Sequence, residues 1–290
     1  MGDRLYLRVW KHSNMILIDL NQLVFSTISV MATKQEIDED LIRHIVLNCI
    51  RIHRNKFYDK YGEIVIATDN KHYWRRDVFP YYKANRKKDR DASSLNWPVI
   101  FECMSKIKAE IKETFPYKFI DVHGAEADDV ISVLIEAMPY NENALIISGD
   151  KDFIQLQTLK PYVDQYDPAR KRWLTHPNPS EYLEEHIIKG DRGDGVPNIR
   201  TTDSALAVGE RQKTISRKML DSWRSDGIPR DLDRNYQRNK MLIDLTQIPE
   251  DIKLAIVEEY EKPVNGKRSK LFNYFFKHNL KNLMESINEF

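Results

Sequence analysis

Four short apolar runs, 15-MILID-19, 63-EIVIATD-69, 117-YKFIDV-122 and 144-ALIIS-148, limit the possible folds more than any other feature of the chain. Each is nearly continuous instead of alternating apolar with polar. A strand that is apolar on both sides has to be covered on both faces, the usual condition of a parallel sheet. Helical patterns fill the gaps. Residues 38–57 carry Leu41, Ile42, Ile45, Val46, Cys49, Ile50 and Ile52, and residues 97–112 carry Val99, Ile100, Met104, Ile107 and Ile111. In 126-EADDVISVLIEAM-138, Ala127, Val130, Ile131, Leu134 and Met138 fall on one helical face. The chain therefore reads as α/β, with a mostly parallel central sheet flanked by helices. Past about residue 180 strand runs fade, and helices and loops continue to the end. The expected division is an N-terminal extension at 1–13, an α/β domain at 14–185 and a helical domain at 186–290.

No long uncharged apolar run is present, so no membrane span is expected, and the first residues lack a signal-peptide pattern. Cys49 and Cys103 are far apart with no CxxC spacing. This fits a reducing, cytoplasmic setting without structural zinc or a disulfide framework.

In open α/β sheets, sites form beyond the carboxyl ends of the strands. Acids gather there. Asp19 closes the first run and Asp69 the second; Glu126, Asp128 and Asp129 open the helix after the third; Asp150 and Asp152 follow the fourth. Further on, 189-KGDRGDGVPNI-199 adds Asp191 and Asp194. Any one of these has a plain alternative as a helix N-cap, and Asp129 points away from the apolar helix face, as a solvated surface acid would. The coincidence argues otherwise. Two like charges ~4 Å apart repel by about 1 kcal/mol in water and by more in a drier crevice. Such a crowd calls for cations, and hard oxygen ligands without His or Cys suit Mg²⁺, with Mn²⁺ as a substitute. Two clusters suggest two ions ~3.5–4 Å apart, an arrangement used for phosphodiester cleavage.

The formal net charge is only +1, but residues 71–90 hold eight Lys or Arg against Asp77 and Asp89. Tyr73, Trp74, Phe79, Tyr81 and Tyr82 are interleaved with them. Cations neutralise phosphates, and aromatic faces stack unpaired bases or else form a small local core. Arg75 and Lys83 are the candidates to touch a scissile phosphate; Arg76, Arg86, Lys87 and Lys88 are candidate phosphate contacts.

The run 74-WRRDVFPYYKANR-86 resembles the F-R-x-x-x-Y-P-x-Y-K-A-N-R stretch of the structure-specific 5′ nucleases, the flap endonucleases and the 5′ nuclease domain of bacterial DNA polymerase I. The blocks 18-IDL-20, 66-IATDN-70, 126-EADD-129, 148-SGDKD-152 and 190-GDRGDGVPNI-199 agree in order, and 285-ESINEF-290 is similar to the end of bacteriophage members. The resemblance implies a PIN/5′-nuclease-like fold with a helical C-terminal DNA-binding region. It implies a Mg-dependent 5′→3′ exonuclease and flap endonuclease with ribonuclease H activity, removing RNA primers and adjoining DNA during lagging-strand replication in an infected bacterial cell. Asp19, Asp69, Glu126, Asp128, Asp150 and Asp152 would build the metal centre, with Asp191 and Asp194 on its second side and Asp129 close by. Asp128 and Asp150, with Lys83 and Arg75, would carry catalysis. Expected substrates are RNA–DNA and DNA duplexes with 5′ flaps or nicks, bound by a monomer. A sliding clamp, through residues 1–13, and a single-strand DNA-binding protein, at the C-terminus, are the partners considered.

The chain departs from the family pattern after Pro197, where 198-NIRTTDSALAVGERQKTIS-216 lacks the glycine-rich hairpin that grips duplex backbone. Gly209 and Lys213 are either remnants of that grip or coincidental. Gly195 stands where relatives carry Asn. Two rivals remain: a haloacid-dehalogenase-type phosphatase, whose motif belongs on the first strand, and a branched-DNA binding protein with a silent site, which would be expected to have lost acids.

Overall fold

The computed structural model describes residues 14–32 and 37–290, with the backbone alone at Asp89. Residues 1–13, including the expected extension and clamp contact, lie outside the described residues. The first half runs β1 (Met15–Asp19), α1 (Leu20–Met31), α2 (Glu39–Tyr61), β2 (Glu63–Ala67), α3 (Arg75–Val78), α4 (Asn85–Asp91), α5 (Trp97–Thr114), β3 (Lys118–Ile120), α6 (Ala127–Ala137) and β4 (Ala144–Ile147). It continues with β5 (Val163–Asp167), β6 (Arg172–Trp173), α7 (Pro179–Lys189), α8 (Ala205–Val208) and α9 (Arg217–Asp226). The last helices are α10 (Asp233–Ile243), α11 (Glu250–Glu261), α12 (Arg268–Lys277) and α13 (Lys281–Glu285).

The strand order is β3-β2-β1-β4-β5-β6, parallel except for the β5–β6 pair. The continuous apolar strands are explained directly. Ile16 and Ile18 enter one core with α2, α5, α12 and α13, while Met15 and Leu17 enter the other with α6 and α11. Burying one such side chain stabilises the fold by about 1.5–3 kcal/mol. The two short strands that the sequence reading did not include have a clear cause. In 163-VDQYD-167 polar residues interrupt the run, and the fully buried Gln165 is tolerated because its Nε2 donates to Ser148 O at 3.0 Å. β6 is an exposed two-residue edge.

The C-terminal helices do not stand apart. α11 packs on α6 and α12 on α5, and Phe290 is fully buried against Phe115 and Phe275. The expected boundary at 185/186 falls inside α7. Strand order reverses between β1 and β4, so their carboxyl ends open a crevice at the switch point.

Candidate metal centre

Asp19 ends β1 in that crevice. It accepts the Gln22 N–H at 3.1 Å, capping α1, and the Ser148 hydroxyl at 3.1 Å from the end of β4. Asp69, beyond β2, accepts Asn21 Nδ2 at 2.7 Å and Ala127 N at 2.9 Å. Asp150 caps the 3-10 turn after β4 by accepting Asp152 N at 3.0 Å. The plain reading of these acids as caps is thus true and does not compete with a site. Capping fixes the carboxylates at the sheet edge.

Two groups of side chains could hold a metal ion. Oxygens of Glu126, Asp128 and Asp129 lie within 4.8 Å of one another, and so do ligand atoms of Asp152, His186 and Asp191. His186 was not anticipated; its imidazole stands beside the oxygens of the second group. α7 ends at Gly190, whose φ of 68° would place a Cβ 2.4 Å from Val196 O, so glycine alone fits. That turn presents His186 and Asp191 together. The imidazole Nδ1 is 3.2 Å from Asp152 and Nε2 3.4 Å from Asp191. The signal was available: a His in the last turn of a helix that runs straight into 190-GD-191.

The loop after α7 folds back on the basic segment. Asp194 N donates to Asp191 Oδ1 at 3.1 Å, Lys83 N donates to Asp194 O at 2.7 Å, and the Tyr82 hydroxyl donates to Asp194 Oδ2 at 2.8 Å. Gly195 has φ 73°, and a Cβ there would lie 2.8 Å from Tyr81 O. Position 195 therefore needs a residue at ease in the left-handed region, which glycine is. Lys83 itself is left-handed at φ 56°, a strain of about 1 kcal/mol or more for a side-chain-bearing residue.

The charges sort by partner. Burial and the charge of Asp69 push Asp19 up to about 8. Burial pushes Asp128 up to about 6, against the pull of Arg75. Burial raises Asp150, and burial with the charges of Asp150, Asp191 and Asp194 raises Asp152 further. At Asp194 burial is outweighed by Lys83 and Arg86, which hold it down to about 2; at Asp69 it is outweighed by Lys83, Ala127 N–H and Asn21. Carboxylates that gain protons because they are buried and face one another are what a dication would relieve. The donor set fits hard divalent ions, with one imidazole softening the second group.

Asp129 is not a solvated acid but fully buried. Its Oδ2 accepts Glu126 N at 3.0 Å, Trp74 Nε1 at 3.2 Å and Arg75 NH1 at 3.0 Å, and its Oδ1 lies 2.8 Å from Arg75 NH2. Both oxygens are engaged by the protein, which makes Asp129 an anchor of the site. Arg75, expected on a phosphate, is 1% exposed and bonded to Glu126 Oε2 at 2.9 Å and Leu242 O at 2.9 Å as well. It neutralises the acid group from within. Trp74, Phe79 and Tyr82 are buried, which favours the core role for these rings. Lys83, bonded to Glu126 and 3.6 Å from Asp194, stands at the joint edge of the acids. Arg86 pairs with Asp194 while half exposed; Arg76, Lys87, Lys88 and Lys213 are exposed.

Residues 14–186 match the family model described as 5′-3′ exonuclease, N-terminal resolvase-like domain. The chain belongs to the 5′-3′ exonuclease family. Residues 181–290 match a second model, described as T4 RNase H, C terminal. Ribonuclease H of Enterobacteria phage T4 is 34% identical over 290 residues, covering 94% of this chain and 95% of that protein. A bacteriophage T5 flap endonuclease, solved as a pseudo-enzyme-product complex with DNA and metal ions, shares the fold with TM-score 0.62 at 16% identity, over 86% of this chain and 100% of that one. A T5 5′-exonuclease with bound zinc ions does so with TM-score 0.62 at 17% identity and the same coverage. This member of the 5′-3′ exonuclease family is thus a nuclease with acidic groups suited to divalent metals. No helix among the described residues is long and apolar enough to cross a membrane.

Proposed function

We propose that the protein is a Mg²⁺-dependent 5′→3′ exonuclease and flap endonuclease. It hydrolyses phosphodiester bonds of RNA primers and adjoining DNA during lagging-strand replication, with Mn²⁺ able to replace Mg²⁺. The observation that carries this reading is the convergence of carboxylates from the ends of β1, β2 and β4, the start of α6 and the loop after α7. Two ligand groups, Glu126/Asp128 and Asp152/His186/Asp191, would hold the ions; Asp19, Asp69, Asp150 and Asp194 complete the acidic crevice. Dications bound there would supply an activated water and stabilise the leaving 3′ oxygen. The protein's own part is positioning. Arg75 and Asp129 fix Glu126 at the mouth of α6, and Ser148 and Gln22 fix Asp19. Lys83, with 10% of its side chain exposed between Glu126 and Asp194, has an ammonium that can turn its hydrogen bonds to a phosphate oxygen. Arg86, Arg76, Lys87, Lys88 and Lys213 offer exposed charge to the phosphates, so sequence preference should be weak.

The reading includes action as a monomer in the cytoplasm of an infected bacterium, alongside a single-strand DNA-binding protein and a sliding clamp. A silent DNA-binding role is not favoured, because every acid of the resemblance is in place. The test is cleavage of 5′-labelled flap, nicked and RNA-primed duplexes with Mg²⁺ and with chelator. Release of the label only with Mg²⁺ supports the reading; intact substrate in every lane refutes it.

A further inference from the structure

Lys108 is a cation that the acid site does not use. It sits half-buried on α5, and among the described residues its ammonium makes no hydrogen bond or ion pair. Burial lowers its pKa, while Asp69, Asp121 and Asp19 raise it from a distance. Lys83, Arg75 and Arg86, by contrast, are already joined to carboxylates. A half-buried charge without a partner is costly, and an incoming anion removes that cost.

The surroundings specify the anion. Lys108 lines a cavity of about 570 Å³ that reaches Asp69 at one end and opens between α1, α5 and the basic segment. Trp97, Phe101 and Lys108 fall at i, i+4 and i+11 of α5, one stripe facing this space. Phe25 of α1 closes an aromatic trio: its ring centroid is 5.7 Å from Trp97 and 5.7 Å from Phe101, edge-on to both. Phe101 remains 40% exposed, and the buried Trp97 Nε1–H has no acceptor. Arg90 lies 5.7 Å from the Phe101 ring, and Arg76 and Lys71 add charge at the wall. Rings for a base and cations for a phosphate are thus set side by side, next to Asp69 just beyond β2.

We propose that this cavity seats one unpaired nucleotide of the substrate's 5′ strand, with Lys108 taking its phosphate and Trp97 and Phe101 stacking its base. A paired base is already stacked on its neighbours within the helix, so only an unpaired one can offer a face to these rings. The inference rests on the nuclease reading and adds to it the place where single-stranded character is recognised. Lys108, Trp97 and Phe101 are then specificity-determining residues outside the 71–90 segment.

The test compares a labelled hairpin duplex bearing a short oligo-dT 5′ flap with the same duplex lacking it. Both are titrated by fluorescence anisotropy in chelator, so that binding is read without cleavage. Lys108→Ala and Phe101→Ala should each weaken binding of the flapped duplex about tenfold, with the flapless duplex unaffected. Lys108→Arg should restore affinity, and the salt dependence of flap binding should lose about 0.7 in slope in Lys108→Ala. Lys108→Met keeps the aliphatic stem and serves if the alanine variant unfolds. Equal losses on both duplexes, or none on the flapped one, would overturn the pocket. If the wild type cuts flaps with Mg²⁺ while the variants keep full flap affinity, only this inference fails. If the wild type cuts nothing, the nuclease reading fails with it.

Discussion

Adding Mg²⁺ to the metal-free protein should expel a proton from Asp19. That carboxyl is 7% exposed, and burial with the neighbouring Asp69 pushes it from an ordinary 3.8 to about 8. At pH 7 such a group is about 0.9 protonated, and a dication binds only the carboxylate. Asp128, pushed up to about 6, adds about 0.1. Asp152, raised further by burial and its acidic neighbours, adds to this, so about one proton or more should leave per protein at pH 7, and fewer at pH 9. Isothermal titration calorimetry in two buffers of different ionisation enthalpy counts it, because the observed heat then depends on the buffer. Asp19→Asn should lower the count at pH 7 by about 0.9. Stability follows the same linkage. A folded-state pKa above the unfolded one means that the folded protein holds the proton more tightly. Without metal, this contribution is fully present below the ordinary carboxylate range and is lost as pH rises through about 8. The displacement corresponds to at most about 6 kcal/mol, and saturating Mg²⁺ should flatten the slope. A binding heat at pH 7 that is identical in both buffers would refute the crowding argument.

Arg75→Met should destabilise the protein by about 3–5 kcal/mol at pH 7, because it leaves Glu126 and Asp129 buried without their countercharge; an unchanged urea midpoint would show that the pair is not a pillar of the site. Lys83→Ala should lower single-turnover cleavage at saturating flap substrate roughly 10²–10³-fold, whereas a weaker affinity with full turnover would remove its transition-state role. His186→Asn should weaken Mn²⁺ binding about 10–100-fold by calorimetry, and unchanged affinity would reduce the imidazole to packing.

The sheet was legible because both of its faces are covered: residues alternating along β1 enter two different cores, so the run had to be apolar throughout. The acids were legible because strand ends and helix starts are marked by the same residues that cap them. What escaped was whatever depends on contact between distant segments. A helix-face argument left a surface position open for Asp129, yet in the first turn its side chain folds back to the N-cap and meets Arg75, fifty-odd residues earlier in the chain. Arg75 could not be told from an exposed arginine, since its burial is supplied by α6 and the Leu242 carbonyl. Gln165 hid β5 by putting a polar group in a core position. His186 carries no local mark except the glycine turn that follows it, and Lys108 lies on an ordinary amphipathic helix.

The central claim is that separate carboxylates form one centre for divalent ions, and Mn²⁺ titration followed by electron paramagnetic resonance tests it most directly. About two ions should be taken up per wild-type protein, with uptake reduced in Asp128→Asn and again in Asp152→Asn. No uptake by the wild type, or the same uptake in all three proteins, would contradict the account.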